Sequence, residues 1–292
     1  MRPLYNRLQE ARPQLRAPWE IIERDYLLSW ILAAIGRNET LSQALAFKGG
    51  TALKKCYFGD YRFSEDLDFS ALPETPRGDS MEDAVQACCR TAVEMLDEYA
   101  PIEILCERYT EAQPRPGGQE AFAIRCRFPW QRELLTRIKV EIAIDEPILR
   151  PLQQRTILYD YEEPLSATVQ TYALEEIVAE KLRAILQHIK RLEERGWSRS
   201  RARDYYDLWR IAEAYFDELD LSGFVSFLHE KCAVRGVDFD GPDAFFREPM
   251  MSYVARTWEQ WLGPLVPDLP SCDTVIQELR PRIDELLARR SS

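Results

Sequence analysis

The sequence is poor in histidine and lacks the cysteine spacing of common metal centres. It contains two histidines, and both are isolated from other metal-ligating side chains, so we interpret them as structural. The cysteine number is odd and no C-x-x-C spacing occurs, which argues against a disulfide framework and against a zinc site. Reduced thiols in a cytosolic protein are the better interpretation. The seven cysteines are Cys56, Cys88, Cys89, Cys106, Cys126, Cys232 and Cys272.

An excess of positive charge and a long apolar run are also missing. The formal net charge is −11, so any contact with nucleic acid must come from a local basic patch. The first 25 residues mix Arg, Glu and Asp, which predicts no signal peptide. The apolar run from Tyr26 to Ile35 is too short to span a membrane and predicts a buried helix. We therefore expect a cytoplasmic protein with no membrane contact.

A chain of 292 residues suggests two domains or one large domain, and a change of character after Pro164 favours two. We place the boundary near residue 165, with residues 1–165 forming the first domain and 166–292 the second. Hydrophobic periodicity and turn residues predict loops at 73–80 and 112–119, and nearly continuous helix from Ala173 onward. The other predicted elements are helices at 19–35, 51–57 and 79–100, and strands at 45–47, 66–70, 102–109, 121–128 and 137–145.

The segment 47–70 contains the strongest chemical signal. Alternate residues of a strand share a face, so Asp66 and Asp68 point the same way, roughly 6–7 Å apart. Two carboxylates at this spacing repel each other unless cations lie between them, although a solvated polar face is the simpler alternative. A Gly-Gly-Thr turn, Gly49 to Thr51, precedes them at the start of a helix, where backbone N–H groups can hold a triphosphate. This combination favours metal-dependent phosphoryl or nucleotidyl transfer.

A third carboxylate is available on the strand RIKVEIAID. Glu141 lies at its centre, and Asp145 shares its face at the end of the strand. Either residue could complete a two-metal site or accept the proton of an attacking hydroxyl, and we prefer Glu141. An exposed strand face without chemistry is the alternative. Ser64 lies two residues before Asp66, and we expect it on the same strand face.

The helix that begins at Leu174 places Lys181 within its apolar stripe. A lysine there needs an anion, and we prefer a nucleotide phosphate in a cleft to a buried acid. Residues 181–210 contain nine Lys or Arg and four Asp or Glu, a local balance of +5 (9 − 4). Such a patch suits phosphates. Asp204 could orient Lys181 or Arg203, and Tyr205 with Trp209 suits a buried stripe better than a base-stacking surface.

The motifs FKGGTALKK, RFSEDLDFS, IKVEIAID, AEKLRAIL and RARDYYDLW occur in this order over residues 47–209. This arrangement resembles the AbiEii/AbiGii family of nucleotidyltransferase toxins from type IV toxin–antitoxin and abortive-infection phage-defence systems. The resemblance implies an α+β fold, with a DNA polymerase β-like core and a mixed sheet, followed by an all-helical C-terminal domain. It also implies Mg²⁺, a nucleoside triphosphate (NTP) and a cognate antitoxin. Some members of the family add nucleotides to the 3′ end of tRNA and so block translation.

The resemblance also assigns roles to residues. The Gly-Gly turn corresponds to Gly49 and Gly50 with Lys48 and Thr51 beside them, and the metal-binding D-x-D to Asp66 and Asp68. The lysine of the C-terminal domain corresponds to Lys181, and the R-D-x-Y-D segment to Arg203, Asp204 and Asp207. Residues beyond about 215 match no motif.

These observations predict the following reaction. Gly49, Gly50 and Thr51 hold the β- and γ-phosphates, with Lys48 and Ser64 beside them, and Asp66, Asp68 and Glu141 bind Mg²⁺. An RNA 3′-hydroxyl, with tRNA as the expected acceptor, attacks the α-phosphorus, while Lys181 and Arg203 stabilise the triphosphate charge and Asp204 supports them. Three alternatives remain open: transfer to a protein or small molecule, nucleotide binding without turnover, and action by occluding a partner.

Overall fold

A computed structural model describes residues 2–109, 118–197 and 199–288. The chain divides into two compact units. Unit 1 comprises Met1–Glu146 and Leu152–Tyr172, and unit 2 comprises Pro147–Pro151 and Ala173–Ser292.

Helices and strands are mixed in unit 1. Among its described residues, the helices are α1 (Leu4–Leu15), α2 (Trp19–Arg37), α3 (Leu41–Ala44), α4 (Gly49–Ala52), which continues into a π-helical turn at Leu53–Tyr57, and α5 (Asp79–Asp97). The strands are β1 (Leu45–Lys48), β2 (Asp66–Ala71), β3 (Glu103–Arg108), β4 (Gln119–Arg127), β5 (Thr136–Ala143), β6 (Gln153–Thr156) and β7 (Thr168–Thr171). The predicted boundary near residue 165 falls between β6 and β7.

These seven strands of the described chain form one mixed sheet in the order β3-β4-β5-β2-β1-β7-β6. Strands β2 and β5 are parallel, as are β1 and β7, and the other neighbours are antiparallel. The predicted α+β class is confirmed. Because β2 lies between β1 and β5, the Gly-Gly turn that follows β1 and the acidic face of β5 both come next to Asp66 and Asp68.

The apolar run Tyr26–Ile35 forms the buried centre of α2, as predicted. Tyr26 and Trp30 are fully or almost fully buried, and α2 packs against α5, β5 and β7. A helix that is apolar on most sides needs such cover on several faces. None of the helices in the described ranges is long and apolar enough to cross a membrane.

Four elements of unit 1 were not predicted, namely α1, the short α3, β6 and β7. Strand β6 has the sequence QQRT with alternating exposed and half-buried residues, and β7 has the sequence TVQT with two buried residues. Strands this short and polar lack the apolar alternation on which strand prediction depends. Most of the predicted loop at 112–119 lies outside the described residues.

Unit 2 is helical in its described part, as predicted from Ala173 onward. Its helices are α6 (Leu174–Arg195), α7 (Ala202–Tyr215), α8 (Phe224–Ala233), α9 (Glu248–Leu262) and α10 (Cys272–Ala288). Short 3-10 turns occur at Phe216–Glu218 and Pro242–Phe246. The apolar stripe of α6 is buried at Leu174, Ile177, Val178, Leu182, Ile185, Leu186 and Ile189, as its periodicity predicts.

The segment Pro147–Pro151 belongs to unit 2 because buried polar groups hold it there. Glu176 of α6 accepts the backbone N–H groups of Leu149 at 3.1 Å and Arg150 at 2.8 Å. Lys231 of α8 donates to the carbonyl of Pro147 at 2.7 Å and lies 2.6 Å from a carboxylate oxygen of Glu176. Both charged side chains are fully buried, so each depends on the other.

Candidate active site

Strand β2 presents its two aspartates together. Leu67 and Phe69 are buried, whereas Asp66 and Asp68 are half-buried on the opposite face. The alternation predicted from the sequence DLDF is therefore confirmed. Both carboxylates remain partly accessible to a ligand.

The parallel pairing of β2 with β5 brings the third carboxylate to the same place. Asp68 is the register partner of Glu141, and Asp66 is the partner of Lys139. Adjacent strands lie about 4.8 Å apart, so Glu141 is a direct neighbour of Asp68 on the same face. Strand β5 ends at Ala143, so the exposed Asp145 follows the strand instead of lying in it. The register thus groups Asp66, Asp68 and Glu141, which we call the carboxylate cluster.

The cluster has an excess of negative charge. Burial, together with the neighbouring charges of Asp68 and Glu141, raises the pKa of Asp66 to about 7, against the opposing charge of Lys139. A carboxyl group that titrates near neutral pH reflects anionic neighbours and restricted solvent. The electrostatic environment therefore favours a bound proton or cation at Asp66.

The Gly-Gly turn lies directly against this cluster. Gly49 has a φ of 79°, and a Cβ atom there would lie 2.8 Å from Oδ2 of Asp68. A Cβ atom on Gly50 would overlap the buried guanidinium of Arg62. The left-handed backbone requires glycine at position 49, and a side chain at position 50 would require the Arg62 guanidinium to move. The two glycines are half-exposed, so their backbone is accessible beside the carboxylates.

The remaining residues predicted around the turn are less accessible. Lys48 is buried, is the register partner of Asp68, and places Nζ 5.5 Å from the centre of the Tyr172 ring. Thr51 is also buried, and its hydroxyl donates to the backbone carbonyl of Asp66 and lies 2.6 Å from Oγ of Ser64. The hydroxyl of Thr51 therefore joins the turn to the start of β2.

The predicted strand position of Ser64 is wrong. Strand β2 begins only at Asp66, and Ser64 lies in the irregular segment before it. The contact with Thr51 holds this segment against the turn.

Two residues beside the cluster were not recognised as site residues. Tyr109 donates its hydroxyl hydrogen bond to Oε1 of Glu141 at 2.9 Å. Lys139 lies with Nζ 3.8 Å from the same oxygen and 5.2 Å from the centre of the Tyr109 ring. The alternation of β5 could have identified Lys139. Tyr109 could not be found this way, because it follows β3 and reaches Glu141 across β4, where the small Ala121 is the register partner of Glu141.

In unit 2, Lys181 lies among acidic side chains. Its Nζ is 2.6 Å from Asp207 and 3.1 Å from Asp204, and the Asp207 side chain is fully buried. Asp204 also accepts from Arg201 at 2.9 Å. Although burial opposes it, the charges of Lys181 and Arg201 hold the pKa of Asp204 well below its usual range. The buried acid that we considered as an alternative anion for Lys181 is therefore present.

A comparison with protein-family models identifies the chain. The model described as "Nucleotidyl transferase AbiEii toxin, Type IV TA system" matches residues 30–289. The chain belongs to the AbiEii family. It is accordingly an NTP-using nucleotidyltransferase of a toxin–antitoxin family, and an antitoxin is its expected partner. The resemblance seen in the sequence motifs is confirmed.

Comparison with solved structures supports the fold of this AbiEii-family chain. MenT4, a nucleotidyltransferase toxin from Mycobacterium tuberculosis H37Rv, is similar with a TM-score of 0.60 and 21% sequence identity. The similarity covers 97% of this chain and 90% of the MenT4 chain. A comparison with curated proteins finds no match.

The AbiEii-family chain also concentrates basic side chains in the last turns of α6 and in the segment that follows it. Burial lowers the pKa of Arg191, and the charges of Arg201, Arg195 and Arg199 lower it further. The other three arginines therefore lie close enough to Arg191 to repel its charge, and we call the four residues the arginine cluster. Burial, together with the charges of Arg201 and Arg191, lowers the pKa of His188 to about 3. His188 is thus neutral at physiological pH, in line with its predicted structural role.

The aromatic residues and the arginine of the R-D-x-Y-D segment have defined contacts within unit 2. Tyr205 is fully buried, as predicted, and Trp209 is half-buried and donates to Glu278 at 2.8 Å. The guanidinium of Arg203 lies 5.5 Å from the centre of the Trp261 ring. In residues 2–109, 118–197 and 199–288, no group of three or more His, Cys, Asp and Glu side chains, the carboxylate cluster included, is arranged to hold a metal ion. The case for a metal at the carboxylate cluster therefore rests on its strand register and its negative charge.

Proposed function

We propose that this chain transfers a nucleoside monophosphate from an NTP to the 3′ end of an RNA in a Mg²⁺-dependent reaction. The proposed acceptor is tRNA, and the proposed consequence is a block of translation. The observation that carries the proposal is the register of β2 and β5, which groups three carboxylates directly beside an accessible Gly-Gly turn. Since these substrates are cytoplasmic, we propose the cytoplasm as the site of action.

The carboxylate cluster has the chemistry of a Mg²⁺ site. Mg²⁺ prefers carboxylate oxygens, and the raised pKa of Asp66 indicates negative charge that a cation would compensate. Asp66, Asp68 and Glu141 are the residues that would hold the metal. When bound, Mg²⁺ would neutralise the charge of the triphosphate.

The residues of the chain then have separate tasks in the proposed reaction. Backbone N–H groups of Gly49 and Gly50 bind phosphate oxygens of the NTP. Glu141 accepts the proton of the attacking hydroxyl, and Tyr109 orients the Glu141 carboxylate through its hydrogen bond. The hydroxyl oxygen forms a bond to the α-phosphorus as the bond to pyrophosphate breaks. The contributions of Lys48, Thr51, Ser64, Lys181, Arg203 and Asp204 to nucleotide binding stay predictions.

The arginine cluster supports RNA as the acceptor. A polyanion would relieve the repulsion of Arg191 by its three neighbouring arginines, and guanidinium groups pair well with phosphates. The side chain of Trp197 lies in the same chain segment and is 57% exposed, which suits stacking on an unpaired base. RNA binding through this surface should weaken as the salt concentration rises.

The proposal is tested with purified protein, Mg²⁺, total bacterial RNA and each α-labelled NTP in turn. We expect label in a tRNA-sized band with the wild type and none with Asp66→Ala. Label in protein or in small molecules would retain the chemistry but change the acceptor. Saturable NTP binding without pyrophosphate release would indicate a binding module, and continued toxicity of Asp66→Ala in cells would indicate action through a partner.

A further inference from the structure

Two cysteines of unit 1 share one cavity. Cys89 is a buried residue of α5, and Cys106 is a half-buried residue of β3. Both line a cavity of about 450 Å³ between α5 and β3, together with Gln86, Arg90 and Ile104 among others. These two elements pack against each other, so the thiols face each other across the packing interface.

The position of β3 gives small molecules access to this cavity. Strand β3 is the edge strand of the sheet, with β4 as its neighbour. Cys106 is the register partner of Ile124, which is fully buried, so its side chain is on the face that α5 covers. Cys106 nevertheless retains partial exposure, unlike Cys88, Cys89 and Cys126.

The two thiols have different acidities. A hydrogen bond from the Cys89 thiol lowers the pKa of Cys106, while burial and the charges of Glu82 and Glu107 oppose this effect. The same hydrogen bond raises the pKa of Cys89. Burial raises the pKa of Cys88 and of Cys126 to about 12 each. Since the thiolate is the reactive form, Cys106 is the thiol of this group that reacts first and Cys89 is the one positioned to follow.

We propose that Cys106 and Cys89 form a modification site at which a peroxide produces an intramolecular disulfide. The Cys106 thiolate attacks one oxygen of hydrogen peroxide, the O–O bond breaks, and the released hydroxide takes up a proton to become water. The Cys89 sulfur then attacks the resulting sulfenic acid sulfur, loses its proton and displaces a second water. Two thiols are oxidised and one peroxide is reduced to two waters. The bond covalently joins α5 to the edge strand of the sheet.

The chain is well suited to mapping this disulfide. Cleavage after Arg77, Arg90 and Arg108 places Cys88 and Cys89 in the peptide 78–90 and Cys106 in the peptide 91–108. We would treat the full-length protein with a small excess of hydrogen peroxide, block the remaining thiols, digest with trypsin and sequence the fragments by mass spectrometry. The number of free thiols in denaturant is counted in parallel.

We expect the two peptides to be joined through Cys89 and Cys106 and the free thiols to fall from seven to five (7 − 2). A reductant should restore all of them. Cys106→Ser and Cys89→Ser should abolish the linkage, whereas Cys272→Ser, which changes a half-buried thiol of unit 2, should retain it. Circular dichroism verifies that each variant is folded.

Three results would overturn the proposal. They are retention of all seven thiols, oxidation of Cys106 to a sulfinic acid without linkage, and a linkage that joins Cys88 or a second protein molecule. The mapping of the wild type decides among these results even if a serine variant fails to fold.

Discussion

Replacing Asp66 by Asn should remove activity and at the same time stabilise the metal-free protein. The folded state holds Asp66 among Asp68 and Glu141, and burial together with these charges raises its pKa to about 7. Above that pH the folded protein must carry an ionised carboxylate in an unfavourable place. Asparagine has nearly the same shape and no charge, so it removes this cost together with the proposed metal ligand.

The size of the effect follows from the two pKa values. The difference between about 7 in the folded state and 3.8 in the unfolded state corresponds to about 4 kcal/mol, since each tenfold change in equilibrium is about 1.4 kcal/mol. The folded state binds the proton more tightly, so this group makes the wild type less stable as pH rises from about 4 to about 7. The Asn variant lacks this dependence.

The assay is urea unfolding in the presence of a chelator, near pH 5 and near pH 8. We expect Asp66→Asn to have a larger free energy of unfolding than the wild type. This difference should be about 3 kcal/mol greater near pH 8 than near pH 5. Asp83→Asn, which changes an exposed aspartate of α5, should show no such dependence. The electrostatic reasoning would be refuted if the stability difference between the variant and the wild type were the same or smaller near pH 8 than near pH 5. Adding Mg²⁺ should raise the stability of the wild type and leave the Asn variant unchanged.

Three further predictions concern other parts of the chain. Gly49→Ala should lose transfer activity and about 1–3 kcal/mol of stability, because the backbone there is left-handed and a Cβ atom would meet the Asp68 carboxylate. In the same transfer and urea assays, Gly59→Ala should change neither property, because the space around Gly59 is open. Tyr109→Phe should lower kcat about tenfold with little change in KM for the NTP, because a hydrogen bond to a charged group is lost; an unchanged kcat would refute the positioning role. Lys181→Met should destabilise the protein by about 3–5 kcal/mol in urea unfolding, because Asp204 and Asp207 lose their cation. Lys190→Met, on the exposed face of the same helix, should have little effect. Equal urea midpoints for the two variants would argue against a stabilising role of the buried ion pairs.

The sequence correctly predicted which residues of β2 and β5 share an accessible face, because alternation along a strand depends on local geometry. In DLDF and in KVEI, buried and accessible positions follow from the pleat alone. The adjacency of Asp68 and Glu141 required more, because strand register depends on tertiary pairing and not on either strand by itself. The sequence predicted Glu141 as the third carboxylate, and only the sheet register shows that it lies beside Asp68.

Long-range contacts account for what could not be predicted. Tyr109 is 32 residues from Glu141 in sequence, and nothing in its neighbourhood predicts a contact across an intervening strand. The anions of Lys181 could not be assigned either, because a lysine in an apolar stripe requires an anion without specifying which one. Asp204 and Asp207 lie on the next helix, and only the packing of α6 with α7 brings them to Lys181.

The segment Pro147–Pro151 limits how the chain can be divided. The backbone leaves unit 1 after Glu146, returns at Leu152 and leaves again after Tyr172, so the two units are joined by three crossings. A genetic exchange between relatives at residue 172 would replace Glu176 and Lys231 while keeping the five residues that they hold. Such a chimera takes the segment Pro147–Pro151 from one parent and Glu176 and Lys231 from the other, so their buried contacts form only if the two parents match. The two units can therefore be exchanged between relatives only when the segment and the two residues that hold it remain compatible.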